Sequence, residues 1–225
     1  HPIIDRTEFL TVAGIDDMMI HVGADRRVGD DRATAARPTG AAEQDPLMTK
    51  VVDLESFRDK TLEQKCFGAW QLRFGEAYGT PTRASDLSDK TVFFLAQPGE
   101  NSAVAFYELI MGALDLGPAA KFYYLSNDEQ MRVVDIHLLL ADQVRFEMMR
   151  RLGWIKNLPG AQLSLIEMVR HFEKLKLQAK TSPPELNDSH PDYGAYRQLA
   201  RGDKEVFIRR MLQEAIDAFK KQLEE

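Results

Sequence analysis

The stretch from Asn127 to Leu152 constrains the fold more than any other part of the chain. It opens on Ser126-Asn127-Asp128-Glu129, a capping box. In it the serine hydroxyl accepts the amide three residues on, and the glutamate reaches back to the serine amide. Gly153 follows, well placed to stop a helix in a left-handed turn. The centre, Ile136-His137-Leu138-Leu139-Leu140-Ala141, is apolar nearly all round. A helix of that kind needs neighbours on several sides.

The rest of the ordered text supplies those neighbours. After Asp53, which can cap, Leu62, Cys66, Trp70 and Phe74 recur at i+4 and predict one buried helix face. Gly79-Thr80-Pro81 ends that segment. Ser85 or Ser88 can cap a short helix through Val92, Phe93 and Leu95, although Thr91 to Ala96 reads equally well as a strand. Asn101 is expected to cap a helix holding Val104, Tyr107, Leu109, Ile110 and Met111, broken at Leu116-Gly117-Pro118. A helical turn is expected around Ala119 to Leu125. Pro159-Gly160 is predicted to start a helix through Leu163, Ile166, Val169 and Leu177, ended at Thr181-Ser182-Pro183-Pro184. Ser189-His190-Pro191 predicts a short helix with proline near its first position. Asp203 is expected to cap the last helix, whose stripe is Ile208, Leu212, Ala215, Phe219 and Leu223. The reading is all-α: a single globular helical domain of six or seven helices around the central buried helix 127–152, orthogonal or bundle-like. No internal repeat at a solenoid period appears.

Lysine usage sets the domain boundary. Residues 1–49 hold no lysine and five arginines, whereas residues 50–225 hold twelve lysines. Residues 1–47 are read as an N-terminal extension, largely unstructured. Two short runs, 9–13 and 18–22, predict a hairpin around Gly14-Ile15-Asp16-Asp17, and residues 23–46 predict a disordered linker. Residues 48–225 are read as the helical domain, with Met48 favoured as a natural start.

Bulk composition narrows the setting. Hydrophobic residues make up 44% and charged residues 28% of 225, so a sizeable core is available. A net charge of −6 gives no global attraction to nucleic acid or anionic membrane. The single cysteine, Cys66, cannot form an intramolecular disulfide or a cysteine-based zinc site. No signal peptide and no apolar run near the ~20 residues of a membrane span are visible. A cytoplasmic protein that does not enter a membrane is expected.

Candidate chemistry is sparse. Asp135 and Asp142 lie seven apart on one face of the central helix, with His137 among apolar residues. These three are the candidates for an enzyme with a polar site on that helix. Against this, Asp142–Arg145 and Glu147–Arg151 have the spacing of ordinary helical ion pairs, and a lone histidine on an apolar face is more often a core residue. Glu167 and His171 are spaced i+4 and occur once, which fits no di-iron motif. No metal site, cofactor loop or nucleophile elbow is read. Residues 145–180 hold eight basic and three acidic residues in an otherwise acidic chain, with Trp154 among them. Arg150, Arg151, Lys156, Arg170 and Lys174 are therefore candidates for binding an anion or nucleic acid. The alternative is a solvated face with cations at helix C-termini.

The reading preferred over both is a helical protein-interaction or ligand-binding domain without a catalytic motif. Its partner is another protein or a second copy. Nucleic acid is possible but not favoured.

Overall fold

The capping box at Ser126 forms as its residues dictate. The Glu129 amide donates to the Ser126 hydroxyl at 3.4 Å, and the Ser126 amide donates to the Glu129 carboxylate at 3.0 Å. It opens helix α4 (Asn127–Arg151). Gly153 ends the helix at a φ of 75°. The Gly153 amide then reaches the Arg150 carbonyl at 3.0 Å, and the Trp154 amide reaches Met149 at 2.9 Å. This double bond pattern is a Schellman stop, which requires the left-handed residue that glycine adopts without strain.

The computed structural model describes residues 54–225 apart from 157, 159 and 183. The expected hairpin, linker and Asp53 cap lie outside the described residues. What is described is an all-α domain. Before α4 come α1 (Leu54–Phe74), α2 (Asp89–Ala96) and α3 (Glu100–Ala113). After it come α5 (Leu165–Arg170), α6 (Phe172–Thr181), α7 (Tyr193–Gln198), α8 (Arg201–Arg210) and α9 (Leu212–Glu224). Short 3₁₀ turns occupy Ala84–Asp86 and Ala119–Tyr124. Only two isolated bridges, Arg83 with Ser164 and Ile155 with Leu186, pair extended backbone among the described residues.

α4 is the hub, and α2, α3, α5, α6 and α9 all pack on it. Val133, Ile136, Leu140, Val144 and Met148 are completely buried along it. The second centre of the core joins α1 to α3. Cys66, Phe67 and Trp70 are buried, and the Trp70 indole donates to the Ala105 carbonyl at 2.8 Å. Around Trp70 stand Phe67, Phe74 and Tyr78, each meeting it edge-on with ring centres 5.5–6.0 Å away. Such edge-to-face geometry sets positive ring edges against negative faces.

The two helices approach so closely that Gly112 has no room for a side chain. A Cβ there would press on the Lys65 backbone carbonyl, which cannot swing aside. Gly112→Ala is therefore expected to cost about 1–3 kcal/mol through forced separation of α1 and α3. Urea unfolding monitored by circular dichroism measures this. A stability gain, as from an ordinary Gly→Ala change in a helix, would contradict the close approach.

Several expectations are corrected by the structure. Of the alternatives left open for Thr91 to Ala96 the structure takes the helix, within α2, with Ser88 as its cap, accepting the Thr91 amide at 3.2 Å. α3 starts after Gly99, so Asn101 lies inside its first turn instead of capping it. The helix expected from Pro159-Gly160 starts at Leu165. Its signal is a second capping box, Ser164 with Glu167, in which the Ser164 amide donates to the carboxylate at 2.8 Å. α7 starts at Tyr193, with Asp192 at the preceding position making no side-chain cap bond. Asp203 lies in the first turn of α8, and the long final stripe is shared by α8 and α9, which break at Met211.

Candidate functional site

Two separate charged clusters on α4 involve Glu147 and Asp142. In the first, Glu147 is 1% exposed and holds two arginines from its own helix. Arg150 grips it through two bonds of 2.7 Å, and Arg151 adds one of 2.9 Å. Burial pushes the Glu147 carboxyl up, but these hydrogen bonds and charges outweigh it and hold the group below its ordinary range. Arg151 continues outward to Asp89 at 2.5 Å and donates to the carbonyls of Leu87, Ser85 and Ala84. It thus ties α4 to the 3₁₀ turn and the start of α2.

The second cluster is centred on Asp142, which Arg209 of α8 approaches at 2.6 Å and Arg145 at 3.5 Å. Burial raises the Asp142 carboxyl despite both cations. The Arg145 Nε donates to the Ala96 carbonyl at 3.2 Å, at the end of α2. Asp135 lies elsewhere, paired at 3.1 Å with Lys176 of α6.

His137 joins neither cluster. Its ring lies 5.3 Å from both Phe106 and Tyr107, and burial, helped by Arg145, lowers its pKa to about 4. The candidates Asp135, His137 and Asp142 are thus distributed over three surroundings: a surface ion pair, an aromatic packing site and, for the buried Asp142, a pairing with two partly exposed arginines. The depressed histidine has a measurable consequence. Its folded pKa lies below the ~6.5 of an unfolded chain, so the unfolded state binds the extra proton between those values. Stability is therefore expected to be fully present above about pH 6.5 and to fall as pH drops toward 4, by about 2–3 kcal/mol. Unfolding of His137→Gln across the same range checks this, and an unchanged pH profile would assign the loss to another group.

The basic candidates also have distinct surroundings. Arg150 and Arg151 serve Glu147. Lys156 pairs with Asp188 and stands 6.0 Å from the Tyr193 ring centre. Trp154, placed between them in sequence, packs against His190 at 5.0 Å. Arg170 and Lys174 are exposed and carry no ion pair among the described residues.

A site the sequence reading passed over is aromatic. A chain of ring contacts runs outward from buried Phe106 through His137 to Tyr107, which stacks on Phe122 at 4.8 Å. Phe122 meets Tyr123 at 5.4 Å. At the end of this chain Tyr123 is 65% and Tyr124 89% exposed. On α4, Met131 and Leu138 lie seven residues apart on one helix face and are 46% and 45% exposed. The signal was present in the sequence: three consecutive aromatics, Phe122-Tyr123-Tyr124, in a turn too short to bury all of them.

Among the described residues no group of three histidine, cysteine, aspartate or glutamate side chains is placed to hold a metal ion. No described helix is long and apolar enough to cross a membrane. No protein-family model matches the chain, and neither a curated protein nor a solved structure matches it.

Proposed function

We propose that this is a helical interaction domain that binds through the aromatic surface of the Ala119–Tyr124 turn together with the exposed Met131 and Leu138 of α4, and that its first partner is a second copy of the chain. The observation that carries the reading is the ring chain from Phe106 to Tyr123, which anchors the exposed Tyr123 to a rigid core beside the exposed Tyr124. A tyrosine held in this way presents large apolar area with little rotamer freedom left to lose on binding, and aromatic residues are enriched at interface centres. Charge supports self-pairing as well. Lys121 precedes the tyrosines, and Asp128 and Glu129 follow. A two-fold contact sets each patch against itself, so it can bring cation opposite carboxylate.

Sedimentation velocity of the full chain over a wide concentration range tests this. A monomer–dimer equilibrium is expected. Replacing Tyr123 and Tyr124 together by serine is expected to weaken it by about 2 kcal/mol or more, roughly thirtyfold, while the thermal midpoint of the monomer stays near wild type. A monomer at every concentration, or a dimer that ignores the substitutions, would contradict the proposal.

A further inference from the structure

A cleft of about 310 Å³ lies where α1 passes the end of α3. Its position follows from the backbone. Gly112 lets the two helices touch, and α3 then stops in a Schellman turn with Asp115 at a φ of 58°. The Leu116 amide closes that turn on the Met111 carbonyl at 2.9 Å. The first turns of α1 are left standing beside the turn, with Arg170 of α5 completing the rim.

The lining has two kinds of surface. Phe57, Leu62 and Ala113 provide apolar wall, and Phe57 is 62% exposed. Arg58, Lys65 and Arg170 provide three cations. Asp115 is the single carboxylate, and Lys65 already neutralises it at 2.6 Å. Arg58 and Arg170 remain, both exposed and without an ion-pair or hydrogen-bond partner among the described residues. Two guanidinium groups that have no ion-pair partner among the described residues stand over an apolar wall and give this cleft a net positive lining. Guanidinium matches carboxylate and phosphate oxygens in a planar fork, and ligand sites combine apolar walls with a few polar groups in volumes from ~300 Å³ upward.

We infer that this cleft binds a small organic anion, its carboxylate or phosphate held by Arg58 and Arg170 and its apolar body lying on Phe57, Leu62 and Ala113. The site is separate from the aromatic surface, so either can fail without the other.

The test is a titration of the full chain, followed by backbone amide shifts, with phenyl phosphate, benzoate, inorganic phosphate and benzyl alcohol. Phenyl phosphate or benzoate is expected to give saturating shifts at Arg58, Lys65, Ala113 and Arg170. At ~0.4 kcal/mol per heavy atom a ligand of about ten atoms binds near 1 mM. Whichever of the two binds tighter identifies the head group. Arg58→Gln and Arg170→Gln are each expected to weaken binding about tenfold, since each removes a charged hydrogen bond. Lys174→Gln is expected to leave it unchanged. Three results would each overturn the inference. They are no saturation at the cleft up to about 20 mM, roughly twentyfold above that estimate, equal binding of inorganic phosphate and phenyl phosphate, and equal weakening by Lys174→Gln.

Discussion

Trp70→Ala is expected to destabilise the domain by about 4 kcal/mol, the largest effect of any single truncation in the α1–α3 half of the core. The side chain is completely buried among Phe67, Phe74 and Tyr78, and its indole N–H is bonded to the Ala105 carbonyl. Truncation leaves a cavity that rings on rigid helices cannot fill, and large-to-small changes of this kind cost ~3–5 kcal/mol. For a domain of this size the thermal midpoint falls ~2–4 °C per kcal/mol, so a drop of roughly 10 °C is expected. Trp70→Phe separates packing from hydrogen bonding. It keeps most of the ring contact and loses the indole donor, so about 1–2 kcal/mol is expected. A Phe variant as damaged as the Ala variant would mean that the single bond to Ala105, rather than the packing, holds α1 on α3.

Glu147→Gln is expected to cost about 3 kcal/mol. The amide keeps the shape of the carboxylate but leaves Arg151, which is 14% exposed, with the half-exposed Asp89 as its remaining charge partner. Breaking one side of a buried ion pair costs ~3–5 kcal/mol, because the remaining charge is stranded. Arg150 softens the loss, since it is 42% exposed and can turn to water. Arg151→Met removes that charge together with its bonds to Asp89, Ala84, Ser85 and Leu87. The double variant Glu147→Gln/Arg151→Met is therefore expected to be less destabilised than the sum of the two. Additive losses in urea unfolding would show that the two residues act independently. The sign with pH follows from the depressed carboxyl. The contribution of Glu147 is present above the ordinary carboxylate value of about 4.3 and is lost as pH falls below that, through the depressed folded-state value.

These two residues also show what the sequence made legible. Trp70 announced itself through the i+4 recurrence of Leu62, Cys66, Trp70 and Phe74, and the all-α architecture around 127–152 followed from similar local signals. The Glu147–Arg151 pair was visible as an i+4 spacing, but its weight was not. Spacing predicts a weak surface pair, whereas α2 and the Ala84–Asp86 turn close over it and make it a buried anchor. That closure is a long-range event with no local mark. The same holds for the basic residues of 145–180, which lie near one another in sequence while α4, the following loop and α5 carry them to different neighbours. Arg170 meets α1 across more than a hundred residues of chain, so no window of sequence could join it to Arg58. The helix starts misplaced at Asn101 and Pro159 reflect competing local signals. α3 starts after Gly99, whose φ of 150° only glycine adopts readily, and the capping box at Ser164 prevailed because its hydroxyl accepts the Glu167 amide.

The measurement that tests the interaction reading most directly is amide hydrogen exchange of the full chain at low and high protein concentration. The account predicts that protection rises with concentration in residues 119–124 and 131–138, with the rest of the domain unchanged. Exchange that is independent of concentration, or added protection confined to another face, would contradict it.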